Sequence, residues 1–340
     1  MNDSELAKFQ SDATVRLGPR AIFGLARRSG RPGAVPTRLR LCAALAHAAF
    51  AAPDHVAASW DAAAAGWLGA AVRGPAVRPR RRRSLPIPPA LWSAFRDLAR
   101  HARTGLLGAA EVTRRTAALG ALLDERFAQR AAEAALAWPG IAALAQSALP
   151  DRWRLEDLEH CPADSLAREF YRLVIDNGFD LEVLERGEMA LAALPAPLGY
   201  LNARILQCHD LWHIVAGYQT TGMDEVGISA FQLGQFGHGY SAKFLALVAT
   251  GAAERGDESF GRLMDVMAGA WRHGRETLPL MRIDWETVWR EPTAEIRARF
   301  AIAPYAPPHP RGATVLLPLR EKVTRGSGSD EGSMALAARS

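Results

Sequence analysis

His209-Asp210-Leu211-Trp212-His213 is followed, after a gap of eleven residues, by Glu225, in a chain with only nine histidines. On a helix of about 3.6 residues per turn, His209 and His213 lie one turn apart on one face, and Asp210 borders that face. The run Gly217-Tyr218-Gln219-Thr220-Thr221-Gly222 reads as a turn, so Glu225 can reach back from the start of the next helix. Two neutral nitrogens with one or two carboxylate oxygens suit a borderline divalent metal: iron, zinc, manganese or cobalt. A buried hydrogen-bonded network without metal is the other reading of the same residues. Ile205, Leu206, Leu211, Trp212, Ile214 and Val215 make this helix apolar nearly all round. Its imidazoles are therefore buried, which is costly unless they are paired or ligating. Cys208 points about 100° away from its neighbour His209 and is read as core.

Helices must hold these groups in place. Apolar residues recur at three- and four-residue spacing over 90–101, 110–136 and 163–176, the last carrying Leu166, Phe170, Leu173 and Val174 on one face with Gly178 as a stop. Further helices are expected over 197–216, 224–250 (ended by Gly251) and 259–276 (closed by Pro279). Short strand-like alternation appears only in Arg282-Ile283-Asp284-Trp285 and Ala313-Thr314-Val315-Leu316-Leu317. The fold class is all-α: a multi-helix globular domain with an irregular basic N-terminal extension and a disordered C-terminal tail. The expected division is a basic extension and Pro-rich linker over 1–89, a helical domain over 90–305, and a tail over 306–340.

Composition narrows the function classes. At 340 residues and 49% hydrophobic the chain can bury a substantial core, and no apolar run of about 18 residues reads as membrane-spanning. Three scattered cysteines make no disulfide framework. Residues 1–84 hold fourteen Lys/Arg against five Asp/Glu, ending in Arg78-Pro79-Arg80-Arg81-Arg82-Arg83, whereas the remainder is net acidic. The prolines around that run predict an extended segment, either a solvated linker or an arm for anionic lipid; without aromatic interleaving, nucleic acid is not an expected partner. Only three of 41 basic residues are lysine, which with the alanine load points to a GC-rich bacterial genome; with the reduced thiols expected of so few scattered cysteines, the expected location is the bacterial cytoplasm.

The H-D-x-x-H-x11-E run resembles the signature of the Coq-four family of coenzyme Q (ubiquinone) biosynthesis proteins. Ala230-Phe231-Gln232-Leu233-Gly234-Gln235, Gly274-Arg275-Glu276, Pro279-Leu280 and Asp284-Trp285-Glu286 are similar to later family elements, and Pro162 to Ala167 with Tyr171 to an earlier one. The likeness covers about residues 150–303. It departs at Phe236-Gly237-His238-Gly239-Tyr240-Ser241 and between Gly274 and Pro279, both near the expected pocket.

The resemblance implies an all-helical protein, peripheral to the inner membrane, with a metal on His209, Asp210, His213 and Glu225. The implied reaction is oxidative decarboxylation: the C1 carboxyl of a polyprenylated hydroxybenzoate-type ring is replaced by hydroxyl. Implied partners are that aromatic lipid, the membrane surface and other ubiquinone biosynthesis enzymes, and a homodimer is allowed. The alternative is a non-catalytic lipid-binding scaffold for those enzymes. Arg204 and Arg275 are candidates to hold the substrate carboxylate by paired hydrogen bonds, or else to form ion pairs. Gln232, two turns after Glu225, shares the metal-facing side; Gln235 falls about 80° off it and His238 about 140° off, unless Gly237 and Gly239 break the helix. All three are candidate pocket residues, and His273 is a candidate fifth ligand. Phe231, Leu233, Phe236, Tyr240, Phe244, Leu245 and Val248 pack the core or line a lipid tunnel. An HD-type phosphohydrolase would need groups such as His160 and Asp265, and a zinc peptidase would need glutamate where Asp210 stands.

Overall fold

Apolar residues at helical spacing produce helices and nothing else: among the described residues the only strand-like pairing is a single bridge between Ser165 and Pro292. The computed structural model describes residues 3–80, 82–104, 109–182, 186 and 191–310. Its helices are α1 (Asp3–Thr14), α2 (Pro19–Ser29), α3 (Val35–Ala51), α4 (Val56–Leu68), α5 (Pro89–Thr104), α6 (Ala109–Ala118), α7 (Phe127–Ala135), α8 (Leu155–Glu159), α9 (Leu166–Asn177), α10 (Leu198–Ala216), α11 (Gly222–Phe236), α12 (Gly239–Arg255), α13 (Asp257–Glu276), α14 (Trp285–Val288) and α15 (Thr293–Phe300). The fold is all-α.

Local chemistry accounts for the boundaries. Ser165 caps α9 by accepting from the Arg168 N–H, and Gly178 ends it at φ 65°. The α9 stripe Leu166, Phe170 and Val174 is buried, at about 1.5–3 kcal/mol for each large apolar side chain. Two expected helices are each broken. The span 110–136 divides into α6 and α7 because Asp124 accepts from the Arg126 N–H and side chain in a local turn. The span 224–250 divides into α11 and α12 at Gly237, φ 68°, a left-handed position that glycine adopts without a Cβ clash. The expected strand at 282–285 is instead a short 3-10 turn leading into α14, since Trp285 is drawn into the core.

Residues 3–68 are not irregular. They form α1 to α4, and one hydrophobic cluster runs from Phe9 through Phe50 and Trp60 to Trp271 and Tyr305. Alanine and leucine faces on α3 and α4 pack on α12 and α13 respectively. The stretch after α4 is extended, as its prolines predict, but it is tied down. Arg80 and Arg82 pair with Glu133, Arg130 donates to the Arg83 carbonyl, and Leu85 is buried. Of the expected tail over 306–340, residues 306–310 are described and His309 pairs with Asp265; Arg81, residues 311–340 and with them the expected strand at 313–317 lie outside the described residues. No helix among the described residues is long and apolar enough to cross a membrane.

Helices α11 and α13 meet most closely where Gly234 faces Gly274. A Cβ at Gly274 would stand 2.3 Å from the Phe231 carbonyl oxygen, and one at Gly234 would stand 2.7 Å from that of Trp271. Backbone cannot yield as a flexible side chain can, so Gly274→Ala should destabilise by about 1–3 kcal/mol. Urea unfolding should show a lower midpoint with an unchanged slope; an unshifted midpoint would contradict the close packing.

Candidate metal centre

Helix α10 carries His209, Asp210 and His213, and Gly217 ends it at φ 79°. Arg297 of α15 donates to the carbonyls of Val215 and Ile214 at 2.9 and 2.6 Å, satisfying the last turn of this buried helix. Thr221 then caps α11: its hydroxyl accepts from the Asp224 N–H. Capping places Glu225 in the first turn, where the helix dipole favours negative charge.

The turn brings both helices to one point. His209 Nε2 lies 3.3 Å from His213 Nε2 and 3.3 Å from Glu225 Oε2, and His213 Nε2 lies 3.5 Å from Glu225 Oε1. A metal with bonds of about 2.0–2.1 Å at tetrahedral angles spaces its donors by roughly 3.3 Å. The donor set therefore fits a divalent ion. Asp210 is buried, and a ligand atom of each of His209, Asp210 and His213 lies within 4.8 Å of the others. Burial opposes ionisation of Glu225, yet when the histidines are protonated the charge of His213 and hydrogen bonds from both rings outweigh it and hold the carboxyl well below its usual range; a bound ion would take the place of those protons.

Neighbouring groups orient the rings. His213 Nδ1 is 3.0 Å from the Gln219 carbonyl oxygen; a carbonyl only accepts, so Nδ1 carries the proton and Nε2 offers its lone pair. The Gln232 amide nitrogen lies 2.8 Å from His209 Nδ1 and donates to it as placed. A half-turn of that amide presents donor or acceptor, so it can serve either tautomer. His238 also turns inward, because the chain breaks at Gly237. The ring is buried, its Nδ1 is 2.9 Å from the Ser241 hydroxyl, and burial followed by the nearby charges of His209 and Lys243 lowers its pKa to about 3.

Other expected pocket residues are engaged elsewhere. Arg204 donates two hydrogen bonds to Glu286, at 2.6 and 2.7 Å, and a third to Gln207. Arg275 pairs with Asp61 at 3.2 Å, donates to the Pro75 carbonyl, and lies over the rings of Trp138 and Trp271. The protein's own carboxylates thus take the places expected for a substrate carboxylate. Gln235 donates to the Gly274 and Thr277 carbonyls and accepts from the Leu280 N–H, clamping the end of α13 rather than lining the site. His273 is not a fifth ligand, since its nitrogens meet the Tyr218 hydroxyl and the Ala303 carbonyl. His160 is exposed, while Asp265 is bound by Trp67 and His309, so no phosphohydrolase site forms from them. Cys208 is core, and burial pushes its thiol up to about 12.

The family model described as coenzyme Q (ubiquinone) biosynthesis protein Coq4 matches residues 143–306, a span that includes α10, α11 and the whole histidine–carboxylate cluster. Residues 143–306 are a Coq4-family segment. The ubiquinone biosynthesis protein COQ4 homolog, mitochondrial, of Drosophila ananassae is 29% identical over 146 residues, covering 43% of this chain and 53% of that protein. Its Drosophila melanogaster counterpart is 27% identical over the same length, covering 43% and 52%. The chain therefore spans about half the length of the curated relatives it matches. A solved Nostoc punctiforme chain named for ubiquinone biosynthesis aligns at TM-score 0.47 and 24% identity, over 62% of this chain and 96% of that one. The Coq4 family acts in ubiquinone biosynthesis. The expected bacterial cytoplasmic location is overturned, because these relatives are named mitochondrial; scarce lysine reports codon composition and not compartment.

Within the Coq4 segment, the Arg204–Glu286 pair has a consequence for acid stability. Burial opposes ionisation of Glu286, but the Arg204 hydrogen bonds and charge prevail and lower its pKa to about 2 from an ordinary 4.5. A depressed folded-state pKa stabilises fully above the unfolded value and loses that contribution as pH falls. Between pH 4.5 and 2 the wild type should lose stability more steeply than Glu286→Gln, as followed by thermal melts across that window; parallel curves would refute the assignment.

Proposed function

We propose that this chain acts in ubiquinone biosynthesis as a metal-dependent enzyme that replaces a ring carboxyl with hydroxyl on a polyprenylated hydroxybenzoate-type intermediate. The observation that carries this reading is the convergence of His209 Nε2, His213 Nε2 and Glu225 at 3.3–3.5 Å. These three residues would hold the ion, with Asp210 beside them as a further oxygen donor or an orienting carboxylate. Such an ion, when bound, supplies Lewis acidity toward a ring carboxylate or phenolate and, if it is iron, a means of engaging dioxygen. The exchange releases the carboxyl carbon as carbon dioxide and removes two electrons from the substrate, so dioxygen or another two-electron oxidant takes part.

The protein's residues prepare the site for that work. Gln219 keeps the His213 proton on the outer nitrogen, and Gln232 does the same for His209 when its amide oxygen faces the ring. Trp212, packed on Phe236, closes one flank with apolar surface. Phe231, Leu233, Phe236, Phe244, Leu245 and Val248 belong to the core cluster, which explains them without a lipid tunnel. The prenylated lipid and the other pathway enzymes remain the proposed partners.

Elemental analysis of the purified chain should find near-stoichiometric iron, manganese, cobalt or zinc, lost in His213→Ala and Glu225→Ala while far-ultraviolet circular dichroism keeps its helical signal. No metal in any sample, even after anaerobic reconstitution, would leave the scaffold reading.

A further inference from the structure

The turn that returns Glu225 to the histidines carries a phenol. Tyr218 follows the Gly217 stop of α10, and its N–H donates to the His213 carbonyl at 2.9 Å. The next residue, Gln219, holds the His213 ring through its own carbonyl. The Tyr218 ring presses on α11: a Cβ at Gly227, two residues after Glu225, would stand 2.9 Å from Tyr218 Cε1. The phenol is thus buried against both elements that deliver the donor set.

Its hydroxyl meets a base. The oxygen lies 2.9 Å from His273 Nδ1, and His273 Nε2 lies 2.8 Å from the Ala303 carbonyl oxygen. A carbonyl only accepts, so Nε2 carries the ring proton and, in the neutral ring, Nδ1 accepts from the phenol. Burial lowers the His273 pKa and raises that of Tyr218 well above its ordinary value, which keeps the resting pair as imidazole and phenol. Tyr240 and Tyr305 donate instead to the Thr113 hydroxyl and the Val266 carbonyl, groups that take up no proton. Tyr305 stacks on Tyr218 with centroids 4.5 Å apart and planes 19° from parallel.

A buried phenol resists oxidation by loss of an electron alone, because the radical cation would be a charge without solvent. A hydrogen-bonded base removes that obstacle. As the electron leaves, the O–H bond breaks and the proton passes along the existing hydrogen bond to His273 Nδ1. A neutral phenoxyl radical and an imidazolium remain, the latter still donating to Ala303. His273 is only partly buried, so its new charge reaches water. Return of one electron reverses both transfers.

We propose that Tyr218 is a redox-active residue beside this centre, with His273 as its proton acceptor. It gives one electron to a strong one-electron oxidant of the class formed when a metal ion engages dioxygen. The pair goes beyond the functional reading above: it rests on its own hydrogen bonds and packing, and only the source of the oxidant depends on that reading.

The test is flash photolysis of the full chain with tris(bipyridine)ruthenium and a sacrificial acceptor, which generates a one-electron oxidant in solution. Electron paramagnetic resonance of freeze-quenched samples reads the product, in protein as purified and after chelator treatment. A neutral tyrosyl radical should form in both samples, be mostly lost in Tyr218→Phe, and persist in Tyr240→Phe. His273→Gln separates a redox role from a structural one. Its amide oxygen still accepts from the phenol but takes up no proton. That variant should therefore melt near the wild type yet form the radical about tenfold more slowly or worse, the scale of one lost charge-assisted hydrogen bond. Wild-type radical formation should also be slower in deuterium oxide, a readout that needs no variant. A tyrosyl signal surviving in Tyr218→Phe, equal rates in His273→Gln and wild type, no deuterium slowing, or no tyrosyl radical at all would each overturn the pair. A Tyr218 radical in protein that holds no metal even after anaerobic reconstitution leaves the pair standing, and the metal reading alone falls.

Discussion

Everything around α10 and α11 answers one electrostatic problem: two imidazoles and a carboxylate are buried where two apolar helices meet. Removing such groups from water is tolerated only if each polar atom finds a partner. The Gln219 carbonyl and the Gln232 amide meet the outer ring nitrogens, Glu225 meets the inner ones, and Thr221 settles the start of the helix that delivers it. Arg297 satisfies the end of the helix that delivers the histidines. The inner nitrogens are left as donors directed at one point, which is the arrangement a divalent ion uses.

Two ion pairs, each of a buried guanidinium and a partly exposed carboxylate, hold further segments together around these helices. Arg204–Glu286 ties α10 to α14, and Trp153 donates to the same carboxylate. Arg275–Asp61 ties α13 to α4, with Trp271 donating to Asp61. Each guanidinium also lies over indole rings, Trp153 for Arg204 and Trp138 and Trp271 for Arg275. Charge, hydrogen bond and ring face act together there, so Arg275 is a structural joint between the Coq4 segment and the N-terminal helices, and Arg204 is a joint within the segment. The N-terminal helices take part in the same framework, since Asp61 lies in α4.

Much of this was legible in local pattern. The H-D-x-x-H spacing puts both rings on one face, and the Gly217–Gly222 turn returns Glu225 to them, because those relations depend only on helix geometry and short-range turn chemistry. The all-helical class follows from apolar spacing in the same way. His238 was legible only conditionally: its direction depends on whether Gly237 continues or breaks the helix, and Trp138, filling the space a Cβ would need there, is far away in sequence.

Partner choice was not legible. Arg204 and Arg275 look equally fit for a substrate carboxylate or a protein one, and only folding brings Glu286 and Asp61 to them. Gln235 shares a helix with Gln232, yet one orients a ligand-type histidine and the other clamps the α13 terminus, because different elements pack over them. Residues 3–68 read as part of a basic extension because the arginine run at 78–83 sets the charge of the first 84 residues; their buried alanine and leucine faces acquire meaning only against α12 and α13. The sequence by itself determined the helices and the histidine–carboxylate cluster, since both rest on contacts within a few turns of chain. Tertiary structure decided which charges neutralise one another, since that depends on residues brought together from across the described molecule.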